Sequence, residues 1–573
     1  MGSEGVDSWW RPELKSNQYD VFGDAYNDVM YKALVQAWHA TPYLNWVKRL
    51  SESGWIHLRL LADFMFIGAT PQRWGDLDPK RGSDQELPTG DDIERRTAER
   101  KRRVAKTKVC VLDYHSEEVK KELFTSAEKL KTSLGSDIPD EVEFRLYVVE
   151  DLSRDVIEAL GQKFKIEPDF FRAHIVDFAW YNVRDRWRNP PLLDIVSRHQ
   201  NWMQLRYVTA RYFDIDEKGV SSFTKASEEA ASFNILRRVD DDLSNKSYWD
   251  KEGAIVGLTR SRATFWLQPE KDKHSRVGIL LLDPTVTKGV PLWRGHRTLW
   301  STPKHGQEVP SRPPDIDNSF ENFIFWAQQT GLYPNCTVDH PSKTIVPLQV
   351  LMHFVCSEWL TMSDYIKTRL NQLDWEIVKP KFFGLGKKGV DNMLEKLHMW
   401  RRLVPLYREM VSETIRHIDQ FSDRIQKNPT TLCGSSDEGQ HQSLNHYKLD
   451  LSHVKSQLEE YQNRIDQITS VVTAVISIDN SRRSLQDNRN IGRLTWLATF
   501  FIPLSLIAGI LSMQSDVGEI SSHTFTVYFA TSIPLIVVIA VAALTLSLSR
   551  SLAQNLASVK RLLWSPWIRQ KSD

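Results

Sequence analysis

Between Leu494 and Leu548 the chain carries no charged residue except in one short link. LTWLATFFIPLSLIAGILSM (494–513) is followed by QSDVGEISSH and then by TFTVYFATSIPLIVVIAVAALTLSL (524–548). Each apolar run holds about 20 residues or more, enough to cross about 30 Å of hydrocarbon as a helix. A soluble core helix of that length keeps a polar face; these runs do not. The expectation is a hairpin of two spans, 494–513 and 525–548, behind a large water-soluble body. Arg482, Arg483, Arg489 and Arg493 precede the first span, and Arg550, Lys560, Arg561, Arg569 and Lys571 follow the second. The link holds Asp516, Glu519 and His523 but no Lys or Arg. Basic flanks stay inside, so both termini are expected in the cytoplasm and only the link outside.

With 573 residues and a net charge of +1, the chain has room for several domains and no global pull toward nucleic acid. The four cysteines, Cys110, Cys336, Cys356 and Cys433, form no CxxC pair and read as reduced thiols. The first thirty residues lack an apolar h-region and include Glu4, Asp7, Glu13 and Asp20. That argues against a secretory or mitochondrial leader, and the plasma membrane is expected rather than a mitochondrial or vacuolar one.

Residues 1–100 form an N-terminal region, aromatic-rich over 1–70, and a charge run, DDIERRTAERKRRVAKTK (91–108), crosses its end and reads as a solvated linker. Residues 101–340 are expected to form an α/β domain. Its strands are Val109–Tyr114, Phe144–Asp151, Leu205–Ile215, Ala263–Gln268 and Val277–Asp283, with a helical passage, RDVIEALGQKFKIEPDFFRAHI, after the second. A helical stalk occupies 341–490, the membrane hairpin 491–549 and a basic tail 550–573. In the stalk, Leu397, Trp400, Val404, Tyr407, Val411, Thr414, Ile418, Phe421 and Ile425 step by three and four. So do Leu444, Tyr447, Leu451, Val454, Leu458, Tyr461, Ile465, Ile468, Val472 and Val475. These seams predict two long helices packed antiparallel like a coiled coil. No Pro interrupts the second before Pro503, so it runs into the first span as a rod on the order of 100 Å long.

Beyond Val475 the seam changes phase to Asn488, Ile491, Thr495, Ala498, Ile502, Ser505 and Gly509. A face of small and weakly polar residues suits either a helix–helix contact or a water-filled pore, and both stay open on periodicity alone. Two helices cannot enclose a pore, so a channel demands several copies.

RLTWLATFFIPLSLIAGILSMQ (493–514), with its Pro one third into the span, resembles the CorA-type divalent-cation transporters, the two-transmembrane GxN family, and within it the fungal branch. LGQKFKIEPDFF (160–171) is similar to a helix entry of that family's cytoplasmic domain. The resemblance implies a homopentamer with an α/β cytoplasmic domain, long stalk helices and a pore lined by the first span, conducting Mg²⁺ as cargo and holding no cofactor. It places Asn488, Ile491, Leu494, Ala498, Ile502 and Ser505 along the pore. The outer entrance falls at Ser512, Met513 and Gln514, with Gln514 meeting the hydrated ion and Asp516 and Glu519 drawing cations to the mouth. Where the family has Gly-Met-Asn, this chain has Ser512-Met513-Gln514. Gln keeps the carboxamide but adds a methylene, so Zn²⁺ transport and a non-conducting scaffold or regulator stand as alternatives. The family's metal-sensing carboxylate would fall near Ser477, which carries no carboxylate.

GLGKKG (384–389) matches a dinucleotide motif by letter, but it follows Pro380 and a helical stretch and reads as a turn. His441, His446 and His453 read as a solvated helix face. No Ser–His–Asp, HExxH or Walker pattern is present, and the chain is not expected to be an enzyme.

Overall fold

The computed structural model describes residues 41–67, 101–176, 193–214, 222–242, 254–269, 276–292, 304–306, 318–329, 345–378, 387–427, 438–513 and 525–542, apart from a few single positions. The chain forms two compact units, one through Thr469 and one from Ser470.

Within the first unit a mixed sheet has the order β2-β1-β3-β7-β6-β4-β8, with β5 added on β6. The strands are β1 (Val109–Tyr114), β2 (Val119–Phe124), β3 (Phe144–Glu150), β4 (Trp202–Phe213), β5 (Val239–Asp242), β6 (Ile255–Leu267), β7 (Arg276–Leu282) and β8 (Val290–Pro291). β3 and β7 run parallel; the other pairs are antiparallel. Their apolar runs are explained by position, since VCVLDY is covered on both faces and buried almost throughout. β2, VKKELF, is the reverse: an edge strand whose Lys120, Lys121 and Glu122 stay in water.

The helices of this unit begin with α1 (Pro42–Glu52) and α2 (Arg59–Ile67). α3 (Ala127–Gly135), α4 (Arg154–Phe164), α5 (Pro168–Ile175), α6 (Asp194–Ser197), α7 (Ser222–Ala231) and α8 (Ser319–Ala327) lie among the strands. The helical passage holds two helices. Lys165 takes a left-handed conformation (φ 52°) that ends α4, and Pro168 opens α5.

α1 and α2 share the hydrophobic core of the sheet domain. The buried Glu158 carboxylate of α4 serves the start of α1. It accepts from Thr41 Oγ1 (2.6 Å), Tyr43 N (2.8 Å) and Leu44 N (3.2 Å), satisfying amides that a helix start leaves open. Tyr43 lies over Gly161, where a Cβ would sit 2.7 Å from the ring. A glycine there lets the two helices touch.

At the end of β7 the Asp283 carboxylate accepts from Arg237 Nε (2.7 Å) and Nη2 (2.8 Å) and from Arg262 N (2.7 Å). His174, fully buried, contacts Thr264 Oγ1 at 3.0 Å, and its Nε2 lies 3.4 Å from Asp283 Oδ1. Burial drives the His174 imidazole down to about 3; Asp283 opposes this, and Arg237 and Arg262 reinforce it. The folded state therefore holds this histidine neutral while the unfolded chain protonates it near 6.5. Its contribution is intact above pH 6.5 and is lost as pH falls toward 3, by up to about 1.4 kcal/mol per pH unit. Urea midpoints of the solubilised chain should drop between pH 7.5 and 4.5, and His174→Gln should flatten that slope.

The stalk is an up–down–up bundle of α9 (Ile345–Val378), α10 (Lys387–Lys427) and α11, which begins at Glu438 and continues unbroken to Leu511. Trp359 meets Tyr407, Tyr365 meets Trp400 and Lys396 meets Glu376, so α9 and α10 are antiparallel. Every described position of the α10 seam, from Leu397 to Phe421, is buried. The α11 seam is buried at Leu451, Val454, Leu458, Tyr461, Ile465 and Ile468. Lys448 pairs with Asp419 of α10, as an antiparallel hairpin requires. α11 also runs parallel to α9, through His353–Tyr447, Ser363–Gln457 and Asp374–Arg464 contacts. The sequence had left α9 without a partner. GLGKKG meets the start of α10 at Lys387; its first three residues lie outside the described set. Cys110 and Cys356 are buried free thiols.

Candidate pore helix

The second unit contains the end of α11 and a further helix, α12 (Phe525–Ala542). Both are long and apolar enough to cross a membrane. Water would face almost all of their apolar surface: Leu494 is 70 % exposed, Ile502 67 % and Met513 86 %. Exposure on this scale needs lipid or other chains to cover it. Pro503 and Ser532 are the exceptions, buried within the unit. Pro503 sits inside the helix and cannot donate to the Thr499 carbonyl.

Of the expected pore residues, Asn488, Ile491, Ala498, Ile502 and Ser505 fall on one face of α11 by the helical period. Leu494 lies on the shoulder of that row, about 100° from Thr495, the residue in line. Ser512 and Met513 form the turn after the helix and are exposed. Gln514, Asp516 and Glu519 lie outside the described residues. Asn488, Ile491, Ile502, Ser505 and Gly509 are exposed and Ala498 is half-buried, so the row has no covering neighbour within the unit.

The row also extends further back. Ser470, Ala474, Ser477, Ser481 and Ser484 continue the same alternation of four and three toward the stalk, all exposed. The signal for this was in the sequence, in the spacing of small residues, but the charged residues between them obscure it. Two hydroxyls of the row are set by their own helix: Ser481 Oγ donates to Ser477 O and Thr495 Oγ1 to Ile491 O, each at 2.8 Å. A hydroxyl whose hydrogen is so engaged presents only lone pairs outward.

No cluster of three or more His, Cys, Asp or Glu side chains able to hold a metal occurs among the described residues. The face therefore offers hydroxyls and a carboxamide rather than charged ligands, suited to an ion that keeps its water.

These features define a membrane-embedded protein with two C-terminal spans, the first a continuation of a long stalk helix. Residues 348–550 match the family model described as CorA-like Mg²⁺ transporter protein. No curated protein matches it in sequence. Among solved structures, the CorA magnesium transporter from Methanocaldococcus jannaschii is similar at 10 % identity over 76 % of this chain and 96 % of that one, with a TM-score of 0.35. The ZntB cytoplasmic domain from Vibrio parahaemolyticus RIMD 2210633 matches at 10 % over 65 % and 99 %, with a TM-score of 0.27. The full-length CmaX protein matches at 10 % over 75 % and 98 %, with a TM-score of 0.28.

Proposed function

We propose that this chain is a divalent-cation channel whose cargo is Mg²⁺, with the first spans of five copies surrounding one aqueous axis and both termini in the cytoplasm. The observation that carries this is the uncovered row from Asn488 to Gly509, weakly polar inside an otherwise apolar span. Oxygen-only donors suit Mg²⁺, which binds oxygen and sheds water reluctantly. Thr495 and Ser505 accept hydrogen bonds from the ion's waters, Ile491 and Ile502 supply apolar rings that dewet when closed, and Gln514 receives the hydrated ion at the outer mouth. Asp516 and Glu519 raise the local cation concentration there.

The test is flux of Mg²⁺, Zn²⁺ and other divalent ions through the purified chain in liposomes, with Gln514→Asn alongside. The native protein should pass Mg²⁺, and the shorter Asn should alter rate or ion preference by several-fold without creating transport. Flux in the Gln514→Asn variant alone would instead favour a scaffold that keeps the family's fold without conducting. A native preference for Zn²⁺ would keep the channel and replace the ion.

A further inference from the structure

On the side of α11 away from the pore row lies a second stripe. Arg482, Arg489, Arg493, Trp496 and Phe500 recur at steps of seven, four, three and four, within an arc of about 60°. The three guanidinium groups are exposed and make no hydrogen bond or ion pair among the described residues. Trp496 and Phe500 stack with ring centroids 6.1 Å apart, each about two-fifths exposed. The one acid between Arg482 and Arg493, Asp487, lies about 140° around the helix from Arg482. The face thus passes along the helix from exposed cations to an indole and then to a phenyl ring, as a bilayer passes from headgroups through its interface to acyl chains.

We propose that this face is a docking surface for anionic phospholipid of the cytoplasmic leaflet. Arg489 and Arg493 take the headgroup phosphate, Trp496 lies at the glycerol level and Phe500 meets the upper acyl chain. Arg482, about 16 Å along the helix axis from Arg493, attracts the lipid's remaining charge from below. A topology signal requires only that basic residues be present. It does not require their alignment on one face, opposite the pore row and continuous with an aromatic pair. Lipid is favoured over soluble anion because the aromatic end of the stripe offers an anion nothing, whereas a phospholipid uses both ends. The inference rests on the membrane placement of the first span and not on conduction, so either can fail without the other.

The full chain, reconstituted in phosphatidylcholine vesicles, is tested with spin-labelled phosphatidylserine and spin-labelled phosphatidylcholine. The serine lipid should be held at the protein boundary about fivefold over choline, the ratio one basic contact near the surface supports. Arg482→Gln/Arg489→Gln/Arg493→Gln should bring it to about one, while the corresponding triple Lys variant keeps a preference. Arg483→Gln, off the face, should leave the ratio unchanged and so controls for loss of bulk charge. A native ratio near one, an unchanged ratio in the Gln variant, or an equal loss in Arg483→Gln would overturn the proposal. So would loss of the preference on adding inorganic phosphate but not chloride of equal ionic strength, which would assign the arginines to soluble anions. Mg²⁺ flux measured on the same vesicles reports separately on conduction.

Discussion

Ala498→Trp should reduce divalent flux in liposomes at least tenfold while leaving oligomer mass unchanged. Ala498 is half-buried in the middle of the uncovered row, between Thr495 and Ile502. If copies of this row surround one axis, each contributes an indole at the same height, and the bulk is multiplied by the number of copies. A pore that passes an ion with its water shell cannot accommodate that. Phe501→Trp is the matched control, since Phe501 is exposed on a different side of the helix, about 100° from the row. It should conduct nearly as the native chain does. If Phe501→Trp blocks flux and Ala498→Trp does not, the axis lies elsewhere on α11 and the assignment of Ile502 and Ser505 falls with it.

Asp283→Ala is expected to be the most damaging single change in the soluble domain, costing about 3–5 kcal/mol. It would leave the Arg237 guanidinium, only 4 % exposed, without its bidentate carboxylate and would take the acceptor from Arg262 N. Burial by itself would raise the Asp283 pKa; the Arg237 charge and the hydrogen bonds from Arg237 and Arg262 outweigh it and hold the group below the ordinary carboxylate range. The charge is therefore built into the native state, and its removal leaves a buried cation with backbone carbonyls of Val176 and His174 but no counter-charge from Asp283. Replacing both partners, Asp283→Leu with Arg237→Met, should recover much of the loss, because an apolar pair of similar volume avoids the desolvation of two ions. Urea denaturation of the two variants decides this. Loss below about 1 kcal/mol in Asp283→Ala would mean that water reaches the pair.

The apolar strands were legible because both of their faces are covered. Val109–Tyr114 was read with its true bounds, and Val277–Asp283 within one residue at each end. β2 was not found, since an edge strand with Lys120, Lys121 and Glu122 in water carries no hydrophobic pattern. β6 was read short at its start because Thr259, Arg260, Ser261 and Arg262 interrupt its apolar pattern, although all but Thr259 are buried. Arg260 is compensated by Asp240, which β5 brings beside it at 3.0 Å. No local pattern announces such a partner from another strand. The same holds for α1, whose place in the core depends on Glu158 and Gly161 more than a hundred residues later. Along the stalk the three–four spacing survived into the structure because the seams meet neighbouring helices from Leu397 to Phe421 and from Leu451 to Ile468. In the candidate pore the spacing identified the row, but Leu494 entered through family likeness and stands beside it.

The charged rim of β2 has a consequence for a protein proposed to work as a cluster. Five soluble domains tethered to one membrane patch reach a high local concentration, where bare strand edges would find one another and zip into a continuous sheet. Lys120, Lys121 and Glu122 along the last strand would have to give up their water in such a contact. Each domain can therefore crowd against its neighbours and still remain a separate folded body.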